Sequence, residues 1–352
     1  MAFLRKNLAI DLGTTSVLVF TRAQGVILNE PSVVAVDTYT DKIVAVGEEA
    51  REMIGRTPGN IIAGKPMRDG VIADYEATER MLRYFLRKAV GRTMLGPDLI
   101  ICVPSQATQV QKRAVVQAAT AAGAHHTFLI EEPLAAAIGA GIDIADPDGH
   151  LIVDIGGGTT DVALISMGGI VISKSTRVAG DSFDSAIARY IRTRYSLIIG
   201  ERTAEEIKFE ICSVSATDPP EELEVKGRSL LDGLPVRVYV TAEEIMNAVQ
   251  GSLDEIVDTI HEVLSDTPPE LAADLYDRGL LLTGGGALVR GLQDMIRDRL
   301  KMSVHLAENP VTAVVRGTGK ALGWIRRLKS GDEVLAENSR RLVMNREALR
   351  KR

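Results

Sequence analysis

The sequence predicts an α/β protein in which one fold occurs twice, with a ligand site between the two copies. Strand-like apolar segments alternate with segments of helical period, which indicates mixed sheets with helices packed on them. An apolar strand that ends in Asp and a glycine turn occurs at residues 10–19 and again at 151–165. The 352 residues also exceed the usual size of one domain and suit two. A cleft between duplicated domains is a natural ligand site.

A second pair of matching segments supports the duplication. Residues 128–136 and 305–313 share Leu, Glu, Pro and Ala at a constant offset, and Gly-x-Gly follows in both. Because the two kinds of match occur in the same order along the chain, chance is a weak explanation for them.

Local patterns predict the elements of the first half. Apolar residues at helical spacing predict a helix at 76–90, and Gly123 ends an Ala-rich helix at 107–122. Pro133 starts a short helix, where its missing N–H costs nothing. Apolar runs predict strands at residues 8–11, 17–21, 25–36, 42–46, 99–103 and 128–130.

In the second half, two polar residues mark helix starts. Asp181 is the predicted N-cap of a helix at 182–195, and Thr241 of a long helix to about 264. Further helices are predicted at 203–211, 287–300 and 310–324. Strands are predicted at 151–153, 162–165, 169–178, 279–282 and 304–306, with two more around a turn at 232–233.

The segment over residues 151–165 has the composition of a phosphate-binding turn. Asp154 ends the first strand, and three glycines and two hydroxyl residues follow: Gly156, Gly157, Gly158, Thr159 and Thr160. Glycine lets backbone N–H groups approach phosphate oxygens closely. A carboxylate beside phosphate needs a cation between them, so we interpret Asp154 as a ligand of hydrated Mg²⁺. An ordinary glycine-rich hairpin explains this segment, taken alone, equally well.

The same pattern occurs near the start of the chain. Asp11 ends a strand and is followed by Gly13, Thr14 and Thr15. Two such turns could hold one phosphate chain from opposite sides, each with its own Asp. Neither turn carries the Gly-Lys-Ser/Thr ending of a Walker A loop, and neither opens directly into a helix as a Rossmann fingerprint does.

Composition narrows the function classes. The net charge of −6 offers no reason to expect nucleic acid as a partner, and no run approaches the roughly 18 apolar residues of a membrane span. Two cysteines exclude a disulfide scaffold at this length and fit a reducing cytoplasm. The five histidines show no ligand spacing, so no histidine metal site is expected.

Together these motifs resemble the superfamily of actin, heat-shock chaperone ATPase domains and sugar kinases. Its five signature regions match residues 10–19, 129–141, 153–165, 281–291 and 310–322. Within it, the chain is most similar to MreB-type bacterial actins, including the Mbl subtype. The runs that carry this resemblance are LNEPSVVAVD (28–37), RDGVIADYE (68–76), LIEEPLAAAIGAG (129–141), DIGGGTTDVALIS (154–166), IGERTAEEIK (199–208) and LTGGGAL (282–288).

The resemblance covers about residues 8–324 and implies an actin fold. Domain I would span 1–143 with a small subdomain at about 33–74, and domain II 144–316 with a small subdomain at about 182–244. A C-terminal helix at 317–330 would return to domain I, and 331–352 would form a basic tail. The tail could favour anionic lipid or be a solvated extension.

The resemblance also implies a cofactor, partners and a location. ATP or GTP would bind with Mg²⁺ in the cleft. The chain would form polar filaments with itself at the inner face of the cytoplasmic membrane. There, with membrane proteins of cell-wall synthesis or morphogenesis, the filaments would organise wall synthesis and rod shape.

Site residues follow from the same resemblance. Asp11 and Asp154 would hold Mg²⁺, and Glu132 would position the attacking water. Glu131 is a neighbour that could be confused with Glu132, and its alternative role is a salt-bridged residue at a helix start. Thr159 would help to orient the water or the γ-phosphate. The remaining nucleotide contacts would come from Gly13, Thr14, Thr15, Gly156, Gly157, Gly158, Glu205, Lys208, Gly284, Gly285, Gly286 and Ala287.

Two apolar pairs could contact lipid. Met94 and Leu95 lie in a loop where family members carry an apolar pair, and Phe3 and Leu4 precede two basic residues. The alternative for the loop pair is packing back on the protein. Lys320 departs from the small or apolar residue expected in its motif and has no predicted role.

Two other functions within the superfamily are conceivable. A small-molecule kinase would need a base for the accepting hydroxyl, and no motif for one is present. A chaperone ATPase would need a substrate-binding domain after the nucleotide domain, and none is seen. Fold alone would not decide among these functions. The near-verbatim runs favour the filament-forming nucleotidase.

Overall fold

The computed structural model describes residues 6–91, 95–214 and 222–323. Its first half contains, in chain order, β1 (Asn7–Leu12), β2 (Ser16–Thr21), β3 (Gly25–Pro31), β4 (Val34–Asp37), β5 (Lys42–Val46), α1 (Glu48–Met53), β6 (Ile61–Gly64), β7 (Met67–Arg68), β8 (Val71–Ile72), α2 (Tyr75–Val90), β9 (Asp98–Val103), α3 (Gln109–Ala122), β10 (His126–Glu131) and α4 (Glu132–Gly139).

The second half contains a similar succession. Its elements are β11 (His150–Ile155), β12 (Thr160–Ser166), β13 (Gly169–Thr176), α5 (Gly180–Tyr195), β14 (Leu197–Ile198), α6 (Glu201–Ile211), β15 (Glu222–Ser229), β16 (Pro235–Thr241), α7 (Ala242–Asp266), α8 (Pro269–Arg278), β17 (Leu280–Thr283), α9 (Leu292–Leu300), β18 (Val304–Leu306) and α10 (Ala313–Ala321).

Two five-stranded sheets share one topology. Sheet one has the order β3-β2-β1-β9-β10, and sheet two the order β13-β12-β11-β17-β18. In each, three strands form an antiparallel meander, and the last two strands join the first strand of that meander in parallel. The carboxyl ends of the parallel strands therefore lie at one edge of each sheet. The predicted duplication is confirmed at the level of strand order.

Helices α4 and α10, the two copies of the repeated segment, cross between the sheets. Each packs against the other, α4 also against β11 and β12, and α10 against β1 and β2. The crossing depends on two glycines. A Cβ at Gly139 would lie 1.8 Å from the carbonyl oxygen of Ala313, and one at Gly317 would lie 1.8 Å from that of Ala135. The first glycine of each repeated Gly-x-Gly is therefore required for the close packing of the two helices.

Three smaller sheets complete the described chain. β5-β4-β6 lies beside α1, β14-β15-β16 lies beside α6, and β7 pairs with β8. The first two occupy the segments for which small subdomains were expected, and the domain limits themselves stay our proposed division.

Several predicted elements need correction. Helix α5 begins at Gly180 with Ala179 as N-cap, so Asp181 is not the cap. The predicted helix at 287–300 is a 3-10 turn, Gly285–Leu288, followed by the separate α9. The predicted strand at 25–36 is two strands, β3 and β4, in different sheets. In contrast, Thr241 is confirmed as the cap of α7, since its hydroxyl accepts from the Glu244 N–H.

We predict that Gly317→Ala destabilises the protein, because the added methyl group meets a backbone carbonyl that cannot move alone. The expected cost is about 1–3 kcal/mol or more, seen as a lower melting temperature. Gly251→Ala is the matched control, since nothing lies within 4 Å of its Cβ position in α7. Alanine there should stabilise by about 0.5–1 kcal/mol. Equal melting temperatures for the two variants would contradict the packing account.

Candidate functional site

The two Asp-glycine turns adopt the same local structure. In the β1–β2 turn the N–H of Gly13 donates to the carbonyl of Ser16 at 3.1 Å, and in the β11–β12 turn Gly156 donates to Thr159 at 2.9 Å. In both cases the carboxylate precedes the turn at the end of a core strand. Local sequence alone therefore explains the shape of each turn.

The turns lie against each other. A Cβ at Gly157 would lie 1.9 Å from Oγ1 of Thr15, and one at Gly158 would lie 2.4 Å from Oγ1 of Thr14. Any larger residue at either position would push the turns apart. Glycine is thus required here because one half of the molecule closely approaches the other.

A cavity of about 370 Å³ lies where the turns meet. Its lining includes most of the residues predicted to bind nucleotide or metal: Asp11, Gly13, Thr14, Thr15, Glu132, Asp154, Gly156, Gly157, Gly158, Thr159, Glu205, Lys208, Gly284, Gly285 and Gly286. Two predicted residues lie outside this lining. Ala287 packs into the core of the second half, and Glu131 points to Lys112.

Several carboxyl groups lie close together at the floor of the cavity, where burial and mutual repulsion disfavour their ionised forms. Burial raises the pKa of Asp11 to about 6. Burial, and then the charges of Asp161 and Asp11, raise the pKa of Asp154 to about 8. The pKa of Glu132 lies well above its ordinary value because of burial and the same neighbouring carboxylates. The folded chain therefore holds several acids whose ionised forms repel one another.

This donor set fits a hard divalent cation. Carboxylate oxygens are the ligands that Mg²⁺ prefers, and a cation would offset the repulsion between Asp11 and Asp154. Asp161, which pairs with Asp154 across β11 and β12, accepts two hydrogen bonds from Ser105 at 2.9 and 2.7 Å. Its other carboxylate oxygen is buried without a hydrogen-bond partner among the described residues, which adds to the unbalanced negative charge.

The geometry distinguishes the two neighbouring glutamates at the start of α4. Glu131 is the last residue of β10 and lies 3.4 Å from Nζ of Lys112, with both side chains mostly buried. Glu132 lines the cavity. The salt-bridged role left open for Glu131 is the one that the structure supports, and Glu132 is the glutamate that can reach a ligand.

Glu205 and Lys208 both line the cavity, and each pairs with another residue rather than with the other. Glu205 accepts from Arg51 at 2.7 Å, and Lys208 lies 2.8 Å from Asp184 and donates to the carbonyl of Gly180 at 3.1 Å. Each therefore has a partner distant in sequence. These contacts are mostly buried, so they are better defined than a solvated surface pair.

Two ion pairs connect the first half of the chain to the second across the cavity. Arg51 of α1 reaches Glu205 of α6, and Lys65 reaches Asp181 of α5 at 2.8 Å. Asp181 also accepts from Thr15 at 3.4 Å. No local pattern marks Arg51 or Lys65, which is why sequence reasoning missed them.

The far end of the cavity is apolar. Gly284 lies at φ 86, and a Cβ there would be 2.2 Å from the carbonyl oxygen of Ile155, so only glycine suits this position. Phe209 and Leu288 also line the cavity, and their side chains are 68% and 52% exposed, respectively. No motif in the sequence marks these apolar walls, which suit a flat ring.

The residue left without a role, Lys320, has a structural one. Its Nζ donates to the carbonyls of Ile138 at 2.7 Å and Gly139 at 3.3 Å, at the C-terminal end of α4. A cation there adds a hydrogen bond to carbonyls at the end of the helix and complements the helix dipole. Lys320 therefore ties α10 to α4.

Of the residues predicted to contact lipid, only Leu95 belongs to the described part of the chain. It is 54% exposed. Phe3, Leu4 and Met94 lie outside the described residues, as does the tail at 331–352. Among the described residues no helix is both long and apolar enough to cross a bilayer.

Comparison with known proteins agrees with this architecture. The family described as MreB/Mbl protein matches residues 5–330. The cell shape-determining protein Mbl of Bacillus subtilis (strain 168) is 49% identical over 318 residues, covering 90% of this chain and 96% of the relative. The cell shape-determining protein MreB of Escherichia coli (strain K12) is 48% identical over 325 residues, covering 91% and 94%.

A solved structure shows the same fold. Crystal structures of MreB5 of Spiroplasma citri, bound to ADP and to AMPPNP, superpose with a TM-score of 0.88 at 38% identity, covering 92% of this chain and 98% of theirs. The two-domain actin-like fold expected from the sequence is thereby confirmed. With a family match over most of its length and relatives nearly half identical, this chain belongs to the MreB/Mbl family.

Proposed function

We propose that this chain binds ATP with Mg²⁺ between its two halves, hydrolyses it slowly, and couples that cycle to filament assembly at the inner face of the cell membrane. As a member of the MreB/Mbl family it is a cytoskeletal, actin-like protein and not a small-molecule kinase. The filaments would maintain rod shape by organising cell-wall synthesis. Two relatives named cell shape-determining proteins support the role in shape.

One observation carries the nucleotide proposal. Two aspartate-glycine turns, one from each half, meet at a single cavity and place Asp11 and Asp154 at its floor. Backbone N–H groups of both turns would hold the β- and γ-phosphates, and the two carboxylates would hold hydrated Mg²⁺. When bound, Mg²⁺ would neutralise phosphate charge. MreB5 is bound to ADP and AMPPNP in its crystal structures, which favours an adenine nucleotide.

The other end of the nucleotide would occupy the wide end of the cavity. Glu205 and Lys208 would face the ribose and base, and Gly284–Gly286 would let the backbone pass close to the adenosine. Phe209 and Leu288 add apolar surface to the lining there. Glu205 also forms an ion pair with Arg51 of the other half. The same side chain would therefore contact the nucleotide and help to hold the two halves together.

Hydrolysis needs an oriented water molecule more than covalent chemistry. Glu132 lines the cavity close enough to Asp11, Asp154 and Asp161 for their charges to raise its pKa. A cation at the aspartates would lower that pKa again, so that Glu132 could accept a hydrogen bond from water. Thr159, at the turn, would help to orient the water or the γ-phosphate.

Assembly and membrane binding would reinforce each other. A single exposed side chain such as Leu95 contributes about 1.5–3 kcal/mol when buried in lipid. One subunit would therefore bind weakly, whereas a filament that presents Met94 and Leu95 many times would bind well through avidity. Phe3 and Leu4 would provide a second lipid contact, and membrane proteins of cell-wall synthesis would be the partners at the membrane.

We predict that Glu132→Ala retains nucleotide binding but loses about 100-fold in single-turnover ATP hydrolysis, because the water is no longer positioned. Glu131→Ala is the matched control. Its side chain is committed to Lys112, so it should affect stability more than the hydrolysis rate. Unchanged hydrolysis in Glu132→Ala would remove this residue from the role.

We also predict that Asp154→Asn stabilises the protein when nucleotide and divalent cations are absent. The folded-state pKa of about 8 lies above the ordinary 3.8, so the folded chain favours the protonated carboxyl. The stability that the protonated carboxyl contributes to the parent is fully present below about pH 4 and is lost as pH rises through 8. Asn at this position stays neutral and does not incur this loss. At about 1.4 kcal/mol per pKa unit, the gain at pH 8 should be on the order of a few kcal/mol.

The measurement is thermal unfolding in EDTA between pH 4 and 9. Asp258→Asn, at an exposed position of α7, is the control and should show no such trend. With Mg²⁺ and ATP the parent should instead melt at a higher temperature than Asp154→Asn, because only the parent is stabilised by binding. A stability gain in Asp154→Asn that did not grow with pH would contradict the raised pKa of Asp154, which burial and then the neighbouring carboxylates cause.

A sedimentation experiment tests assembly and lipid contact together. With Mg²⁺ and ATP the parent should pellet, whereas a monomeric kinase would stay in the supernatant. With liposomes that carry anionic lipid, Met94→Ser/Leu95→Ser should co-sediment several-fold less than the parent. Val110→Ser, at a residue 76% exposed on α3, is the control for lost apolar surface. Equal liposome binding by the double variant and the parent would count against the loop as the contact.

A further inference from the structure

We propose that Asp98, His125 and His126 form a binding site for a divalent transition-metal ion of the Zn²⁺ class, separate from the nucleotide cavity. The carboxylate and the two imidazoles each offer one ligand atom, and these atoms all lie within 4.8 Å of one another. Neither the charge nor the local spacing of these residues marks them in the sequence, and no histidine metal site was expected from it.

Sheet one assembles the cluster from two segments of the chain. Asp98 is the first residue of β9 and His126 the first of β10, and the two are directly paired in the parallel register. His125 lies in the bend just before β10, where its N–H donates to the carbonyl of Pro97 at 2.9 Å. Within a strand, adjacent side chains point to opposite faces. Because His125 precedes the strand, its imidazole can turn to the same side as that of His126.

The distances are close to those of a metal-bound triangle. Oδ1 of Asp98 lies 3.2 Å from Nδ1 of His125 and 3.1 Å from Nδ1 of His126. Ligands bound at about 2.1 Å in tetrahedral geometry are separated by roughly 3.4 Å. Two sides of the triangle are thus already close to the required length.

The third side needs a small adjustment. The two Nδ1 atoms are 2.6 Å apart, a hydrogen-bond distance, and would have to separate by roughly 0.8 Å to share an ion. The imidazoles have room for this, because they are 35% and 42% exposed, while the Asp98 carboxylate is held at 14% exposure. Rotation about the side-chain bonds of the histidines is enough.

The donor set selects the ion. Imidazole nitrogen suits Zn²⁺, Co²⁺, Ni²⁺ and Cu²⁺, whereas Mg²⁺ and Ca²⁺ take oxygen ligands. Two imidazoles and one carboxylate leave a coordination position for water or another donor, as in zinc sites with three protein ligands. The site would therefore discriminate against the Mg²⁺ that serves the nucleotide.

The cluster is remote from the phosphates. Glu131 ends β10 next to the cavity, and His126 begins the same strand five residues earlier, which is about 17 Å along it. Leu95 is three residues from Asp98. A bound ion would therefore connect the segment that follows Leu95 to the segment that precedes β10, without touching nucleotide.

The test uses the untagged full-length chain, freed of metal by a chelator and then kept in excess Mg²⁺ so that the carboxylates of the cavity do not compete. Titration with Co²⁺ should produce visible d–d absorption that saturates at one Co²⁺ per chain. Added Zn²⁺ should displace the Co²⁺ and remove this absorption. Zn²⁺ should also raise the melting temperature of the parent. His125→Ala/His126→Ala should weaken Zn²⁺ binding, measured by calorimetry, by about tenfold or more.

The controls separate lost ligands from lost folding. His261→Ala and His305→Ala change exposed histidines elsewhere and should bind like the parent. Asp98→Asn keeps the shape of the cluster and should also weaken binding, while retaining the metal-free melting temperature. The proposal is overturned if the parent shows neither the absorption band nor the thermal shift at micromolar metal, or if the double variant and Asp98→Asn both bind as the parent does.

Discussion

The cost of burying several carboxyl groups beside one another at the junction of the two halves is the constraint on which the rest of the structure depends. Asp11 and Asp154 end equivalent strands, and both have pKa values raised mainly by burial. A fold that only needed stability would place apolar residues at these strand ends. The free-energy cost of burying these carboxylates is explained if a cation and a polyphosphate complete the site, because the cation stabilises the ionised carboxylates.

The packing of the two halves sets the geometry of this junction. Helices α4 and α10 cross at Gly139 and Gly317, and Lys320 binds the end of α4. Glu132 begins α4, so the crossing that joins the sheets also places the carboxylate proposed for water positioning. Across the cavity, the pairs from Arg51 and Lys65 hold the halves together. Glu205 both lines the cavity and pairs with Arg51 of the other half, so the cavity and the contact between the halves share a residue.

Features that depend on local sequence could be predicted. The two glycine turns, the Thr241 cap and the repeated helix start at Pro133 all follow from residue types at short spacing, and the structure contains each of them. The duplication could be recognised because both copies retain the same short motifs. Most residues of the candidate cavity belong to those motifs, so their convergence could be anticipated.

Features that depend on long-range partners could not. Asp is a residue type that often caps helices, but the carboxylate of Asp181 forms an ion pair with Lys65, which is distant in sequence. Glu131 and Glu132 are neighbours in an identical local context, and only the position of Lys112 separates their roles. Ala287 follows three glycines of the cavity yet turns into the core. The pairing of His126 with Asp98 arises from strand register, which no single segment encodes.

Isothermal titration calorimetry of the folded chain with ATP, in the presence and absence of Mg²⁺, tests the central claim most directly. The account predicts saturable binding of one nucleotide per chain that depends on Mg²⁺ and is lost in Asp154→Asn. Binding that is indifferent to Mg²⁺, or no binding of any purine triphosphate by well-folded protein, would contradict it.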